Sequence, residues 1–180
     1  MRTAAALLIM IAAVAAGIFY LWPGERVPRG VPAILDDTSA ARESVPFAVE
    51  EVVSGLEVPW SIVFTGPDRM LVSERPGRIR VIEGGALQPE PLHTFPEVSS
   101  TAEEGLMSLA LHPDYARNKL VYAVYAYASG DAFFDRVVRF RDDGDSIADL
   151  TTIIDRIPGA RYHAGSRLAF GPDGKLYVTT

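Results

Sequence analysis

From residue 47 onward, short runs of Val, Ile, Phe and Tyr alternate with clusters of Gly, Pro and Asp, the punctuation of strands and tight turns. The candidate strands fall in three groups. The first is Ser61–Thr65, Met70–Glu74, Arg78–Glu83 and Pro91–Phe95, and the second is Met107–Leu111, Lys119–Tyr127, Arg136–Arg141 and Thr151–Ile157. A third begins with Arg167–Phe170 and Lys175–Thr180. No stretch here sustains a helical period. Ala123-Val124-Tyr125-Ala126-Tyr127 can be drawn as a helix, but its aromatic and β-branched residues favour a strand. The pattern predicts an all-β fold.

One motif recurs. Ile62-Val63-Phe64 leads to Pro67-Asp68 and Met70-Leu71-Val72; Leu109-Ala110-Leu111 leads to Pro113-Asp114 and Leu120-Val121-Tyr122; Leu168-Ala169-Phe170 leads to Pro172-Asp173 and Leu176-Tyr177-Val178. The three prolines are 46 and 59 residues apart. Four strands at about that spacing make a propeller blade. A β-sandwich with coincidental Pro-Asp turns is the competing architecture. On the propeller reading, residues 47–180 hold about two and a half blades. An open fragment would leave a half-built blade exposed, so the sequence is expected to be the N-terminal portion of a longer chain.

The region before residue 47 has a different texture. Arg2 precedes an uncharged run, and Ala4 to Trp22 is 19 residues, close to the roughly 20 that span a bilayer as a helix. Residues 1–24 are predicted to be a hydrophobic helix, acting as an uncleaved signal anchor or a cleaved signal peptide. Ala13-Val14-Ala15 offers a cleavage site, while Ile18-Phe19-Tyr20-Leu21-Trp22 extends the run beyond it into interfacial aromatics. Either reading puts the rest in the periplasm or outside the cell, with residues 4–22 a membrane tether in the first case. Residues 25–46, broken by Pro, Gly and charge, read as a tether.

Composition narrows the function. A formal charge of −6 gives no basic footprint for nucleic acid. The absence of cysteine removes thiol catalysis and Cys-type zinc sites. No Walker loop, Gly-x-Ser-x-Gly or His-Glu-x-x-His motif occurs. In a propeller, the loops that enter the innermost strands converge on one face. Two such loops are expected, Pro96–Gly105 with Glu103 and Glu104, and Pro158–Ser166 with His163. A histidine there suits proton abstraction near neutral pH. Elsewhere the reading is structural: His112 supports its turn, His93 sits on an edge strand, and Glu74-Arg75 and Arg139-Phe140-Arg141 form ion pairs or solvated faces. Asp142-Asp143-Gly144-Asp145 lacks the distal Glu of an EF-hand loop and reads as an acidic hairpin turn.

Three sets of residues resemble the soluble quinoprotein glucose/sorbosone dehydrogenase family. They are Val58-Pro59-Trp60-Ser61 with Leu71 through Arg80, Glu104-Gly105-Leu106-Met107 through Tyr115, and His163 through Thr179. The resemblance implies a six-bladed propeller that binds pyrroloquinoline quinone (PQQ) with calcium and oxidises the C1 hydroxyl of aldose sugars to lactones. It implies that His163 is the general base and that Glu103 lies at the cofactor position. It assigns no metal ligand to this segment, so the calcium ligands are expected beyond it. Two departures stand out. Glu103 occupies a position that is typically glutamine, and Tyr162 one that is often acidic. The rival reading is a non-catalytic propeller that binds a carbohydrate or a protein.

Overall fold

The Pro67-Asp68 turn closes the first hairpin, joining β1 (Pro59–Gly66) to β2 (Arg69–Glu74) with Ile62 opposite Val72. β3 (Arg78–Glu83) continues the antiparallel meander. The fourth position is shared by two short strands, β4 (Ala86–Leu87) and β5 (His93–Thr94), on opposite ends of β3. The single strand expected at Pro91–Phe95 is therefore corrected to a split one. Pro89 and Pro91 lie between the halves, and proline has no N–H to give a ladder.

The second sheet runs β6 (Leu106–Leu111), β7 (Leu120–Ser129), β8 (Ala132–Asp142) and β9 (Ile147–Gly159), each paired to the next. A third begins with β10 (Leu168–Phe170) and β11 (Leu176–Val178). This strand order is that of successive propeller blades. The structure is a computed structural model, and it describes residues 47–180. The predicted hydrophobic helix at 1–24 and the tether at 25–46 lie outside the described residues. Among the described residues no helix is long and apolar enough to cross a membrane.

One helix was not expected from the sequence. α1 (Tyr115–Asn118) is a single turn after Pro113-Asp114, too short to show a period. It forms because the Tyr115 N–H donates to the His112 carbonyl at 2.8 Å, and Lys119, in the left-handed region at φ 56°, donates back to Tyr115. His112 Nδ1 accepts the Asp114 N–H at 3.0 Å, so this histidine serves its turn.

The core has two layers because the second sheet is apolar on both faces. Val121, Ala123 and Tyr125 of β7, with Val138 and Phe140 of β8, pack on Leu71, Ile79 and Val81 of the first sheet. The intervening Val124 and Val137, with Met107 and Ala110, pack on Ala164 and Leu168 towards the third. This two-sided burial explains why β7 reads as an almost unbroken apolar run rather than an alternation. Two side-chain bonds tie β1 and β2 to β6, the first strand of the next sheet. The Ser73 hydroxyl donates to the Met107 carbonyl at 2.5 Å, and the Ser61 oxygen accepts the Leu109 N–H at 3.1 Å.

A buried carboxylate clamps the sheets at the end of the hairpins. Asp142, at the acidic turn, receives two bonds from Arg69 at 2.6 and 3.1 Å and one from the Tyr115 hydroxyl at 2.5 Å. Burial alone would raise its pKa, but these bonds and the Gly144 N–H hold it below the usual carboxylate range. Removing the carboxylate takes the counter-ion from Arg69, which keeps only its bonds to Thr65 and Gly144, and removes the acceptor of the Tyr115 hydroxyl. Asp142→Ala should therefore lower unfolding stability by about 3–5 kcal/mol, read as a shift in denaturant midpoint. Because the folded pKa is depressed, this stability is present above the unfolded value of about 3.9 and is lost as pH falls below it.

Candidate active site

The loop at 96–105, between β5 and β6, is held down by backbone bonds to β7. Ser99 N–H donates to the Ala126 carbonyl, and Ala126 N–H to the Gly105 carbonyl, both at 2.9 Å. Leu106 N–H donates to the Arg75 carbonyl at 2.9 Å, tying the loop to the first sheet's β2–β3 turn. The backbones approach so closely that a Cβ on Gly105 would fall 2.4 Å from the Arg75 oxygen. Glycine is required there by contact, not by φ.

The two adjacent glutamates have opposite fates. Glu104 is fully buried and folds back into its own loop. Its carboxylate accepts the Thr101 N–H at 2.9 Å, the Thr101 hydroxyl at 2.6 Å, the Ala102 N–H at 2.8 Å and the Ser99 hydroxyl at 3.0 Å. Burial pushes its pKa up, but the bonds from Thr101 and Ser99 outweigh it and lower the value to about 2. Glu104 is thus a scaffold for the loop and not a site residue. Sequence reasoning missed Thr101 as its partner. The signal was present, because Thr101-Ala102-Glu103-Glu104 has the spacing of a capping box, in which the acid reaches back to the first N–H.

Glu103, by contrast, is exposed and faces the second loop. Its Oε2 accepts the His163 N–H at 2.9 Å, and the N–H groups of Glu103 and Glu104 donate to the Arg161 carbonyl at 3.0 and 3.3 Å. The two loops, 60 residues apart in sequence, are joined at one end of the sheets. His163 adopts φ 55° in the left-handed region, and its side chain is exposed beside exposed Tyr162. Immediately after it, Ala164 is buried, and Ser166 N–H donates to the Thr179 carbonyl at 2.8 Å. The imidazole therefore stands free on a segment whose flanking backbone is fixed.

The strand ends beneath are cross-linked. Tyr125 donates to Glu97 at 2.5 Å, and Tyr127 to Asp155 at 2.7 Å. Arg136 bonds Asp155 through Nε and one terminal nitrogen, at 2.9 and 3.1 Å. Burial, followed by the bond to Glu97, pushes the Tyr125 phenol up to about 12, so it remains a proton donor at any ordinary pH. His93 of β5 lies apart, edge-on to Phe95 just beyond the strand. An apolar cavity of about 530 Å³ also lies elsewhere. It is lined by Trp60, Ile62, Phe64 and other apolar side chains and holds no ionisable group.

The family model for glucose/sorbosone dehydrogenase matches residues 56–180. The chain belongs to this family. A protein of Thermus thermophilus, assigned as an oxidoreductase of the glucose dehydrogenase type, is 44% identical with a TM-score of 0.66. The match covers 73% of this chain and 39% of that one. The PQQ-bound aldose sugar dehydrogenase of Streptomyces coelicolor is 33% identical with a TM-score of 0.61, over 72% of this chain and 40% of that one. The Hedgehog-interacting protein of Homo sapiens is 30% identical over 153 residues, 73% of this chain and 22% of its own length. The chain thus spans two fifths or less of each of these relatives.

The buried Glu104 carboxylate sets the loop's acid sensitivity. Its pKa is depressed from about 4.3 in the unfolded chain, so its stabilising contribution is present above that value and is lost as pH falls from there towards 2. Glu104→Ala strands several donors and should cost about 2–3 kcal/mol, and it should also remove the acid-induced exchange of amides 99–105. Hydrogen exchange with mass spectrometry would check both.

Proposed function

We propose that this chain is the base-bearing portion of a PQQ-dependent aldose dehydrogenase, working in the periplasm or outside the cell as part of a six-bladed propeller. The observation that carries the reading is the hydrogen-bonded pairing of the Glu103 and His163 loops, in a family whose Streptomyces coelicolor member is a PQQ-bound aldose sugar dehydrogenase. His163 is the catalytic base: its exposed imidazole takes the proton of the sugar's C1 hydroxyl. When bound, the quinone supplies the redox chemistry by accepting the hydride from C1, so that the sugar leaves as a lactone.

The residues here suit a polyanionic cofactor in one respect and oppose it in another. Arg75, beneath Gly105, has its Nε buried with no hydrogen-bond partner among the described residues, a cationic donor left over at the loop end. Glu103 brings negative charge. Its Oε2 holds the His163 backbone, and its exposed carboxylate would act as a like charge on the cofactor's carboxylates. Calcium belongs to the same proposal, with ligands beyond this segment. Among the described residues no three His, Cys, Asp or Glu side chains cluster as a metal site.

A second reading has its own support. The Hedgehog-interacting protein shares the family and 30% identity, and its name describes binding to another protein. On this reading the propeller is a non-catalytic module for a protein or carbohydrate partner, and Glu103 and Tyr162 mark the loss of the sugar dehydrogenase pattern.

Reconstitution of the full-length protein with PQQ, calcium, an aldose and an artificial electron acceptor separates the two. On the enzyme reading, His163→Ala lowers kcat by about 10²–10⁴-fold, the range typical of a general base, while His112→Ala leaves it unchanged. No quinone binding at micromolar cofactor supports the binding module. Glu103→Gln keeps an oxygen to accept the His163 N–H and removes the like charge. It should tighten PQQ binding roughly fivefold, as expected for about 1 kcal/mol of screened repulsion, measured by fluorescence titration.

A further inference from the structure

Asp135 lies in β8, opposite Ala126 on β7 and Ile157 on β9, and is only 1% exposed. It shares a face with Val137, the face packed on Ala164 and Leu168. Its Oδ2 is 3.1 Å from Ser166 Oγ, which is in turn 2.9 Å from the Ala164 carbonyl oxygen. Its Oδ1 is buried without a partner and rests against Gly159, where an added Cβ would sit 3.2 Å away. The ionisable neighbours do not serve it. Arg136 and Asp155 pair with each other on the opposite face, and Arg161, His163 and Arg167 of the loop are exposed.

Proton counting makes this arrangement specific. A serine hydroxyl has one proton and cannot donate to a carboxylate and a carbonyl together. With Asp135 protonated, the carboxyl donates to Ser166 Oγ, and Ser166 donates to the Ala164 carbonyl. With Asp135 ionised, one of the two acceptors loses its donor inside the core, at a site where such a loss is costly.

We propose that Asp135 is a positioning residue for His163. Its buried carboxyl and the Ser166 hydroxyl form an ordered chain of donors that ends on the Ala164 carbonyl and fixes the backbone beside the imidazole. The functional part rests on the reading of His163 as the base. Burial pushes the Asp135 pKa up to about 6, with the Ser166 bond pulling against it. The folded value lies above the unfolded one of about 3.9. The chain's contribution is therefore complete below about 3.9 and is lost as pH rises through about 6.

The test uses the full-length protein, first without cofactor or sugar. Amide protection of residues 160–167, corrected for intrinsic exchange, should fall about fivefold between about pH 5 and about pH 7.5. In Asp135→Asn the amide donates to Ser166 at every pH, so protection should stay high and flat. In Asp135→Ala it should be low and flat, with kcat read at about pH 5 down about tenfold, KM little changed and activity restored by the Asn variant. Wild-type protection that does not change with pH, or an Asn variant that follows the wild-type curve, overturns the proposal. If Asp135→Ala fails to fold, the wild-type and Asn comparison still decides. If the protein has no dehydrogenase activity, it is the proposed function that has failed, and the exchange arm still reads the Asp135–Ser166 chain.

Discussion

Burial of both faces of the middle sheet is the constraint on which the rest depends. β7 and β8 carry large apolar side chains in both directions, so each face must meet another sheet. Stacking the sheets in this way aligns their strand ends. The segments entering β6 and β10 then emerge side by side, although 60 residues separate Glu103 from His163. No long-range polar interaction has to find its partner unaided. The apolar layers bring the loops to within hydrogen-bonding range, and the short bonds between Glu103, Arg161 and His163 then set the register.

Within that frame the acidic side chains divide by environment. Glu104 and Asp142 are buried among donors and stay ionised, each stiffening a turn or a seam. Asp135 is buried almost without donors and holds its proton to a much higher pH. Glu103 is exposed and retains one carboxylate oxygen beyond its bond to His163. Of these four, only Glu103 can meet a ligand directly. Of the buried three, Glu104 and Asp135 act on the loops through backbone geometry, which is how a site carried on loops can be held rigid, while Asp142 clamps the sheets.

Much of the fold was legible because the strands of the first two sheets carry strong β-branched and aromatic patterns, and Pro-Asp marks each first hairpin. α1 was hidden by its length, since four residues cannot display a 3.6-residue period. The split of the fourth strand was announced by Pro89 and Pro91, whose missing donors had to be weighed against the apolar Leu92 and Phe95 beyond them. In the site, Glu103 and His163 could be placed by loop position alone. The different fates of Glu103 and Glu104 could not, because burial of one and exposure of the other depend on which way the chain enters β6. Asp135 and Ser166 were illegible for a related reason. They lie 31 residues apart and meet only when β8 and the loop before β10 are packed together.

The geometry bears on the choice between catalyst and binding module through its economy. A surface that only docks a partner needs exposed contact groups, not a fixed peptide beside one imidazole. Here the residues around His163 are constrained from three sides: Glu103 holds its N–H, Ser166 is pinned to Thr179, and Asp135 reaches the Ala164 carbonyl through Ser166. His163 itself is held in the left-handed region, a conformation that a non-glycine residue keeps only when its surroundings enforce it. Such enforcement is costly for a mere contact residue and useful for a base that must meet a hydroxyl proton at hydrogen-bonding distance. The chemistry of a relative does not bear on this point. The local over-determination of one backbone segment does, and it is consistent with the proposed role of His163.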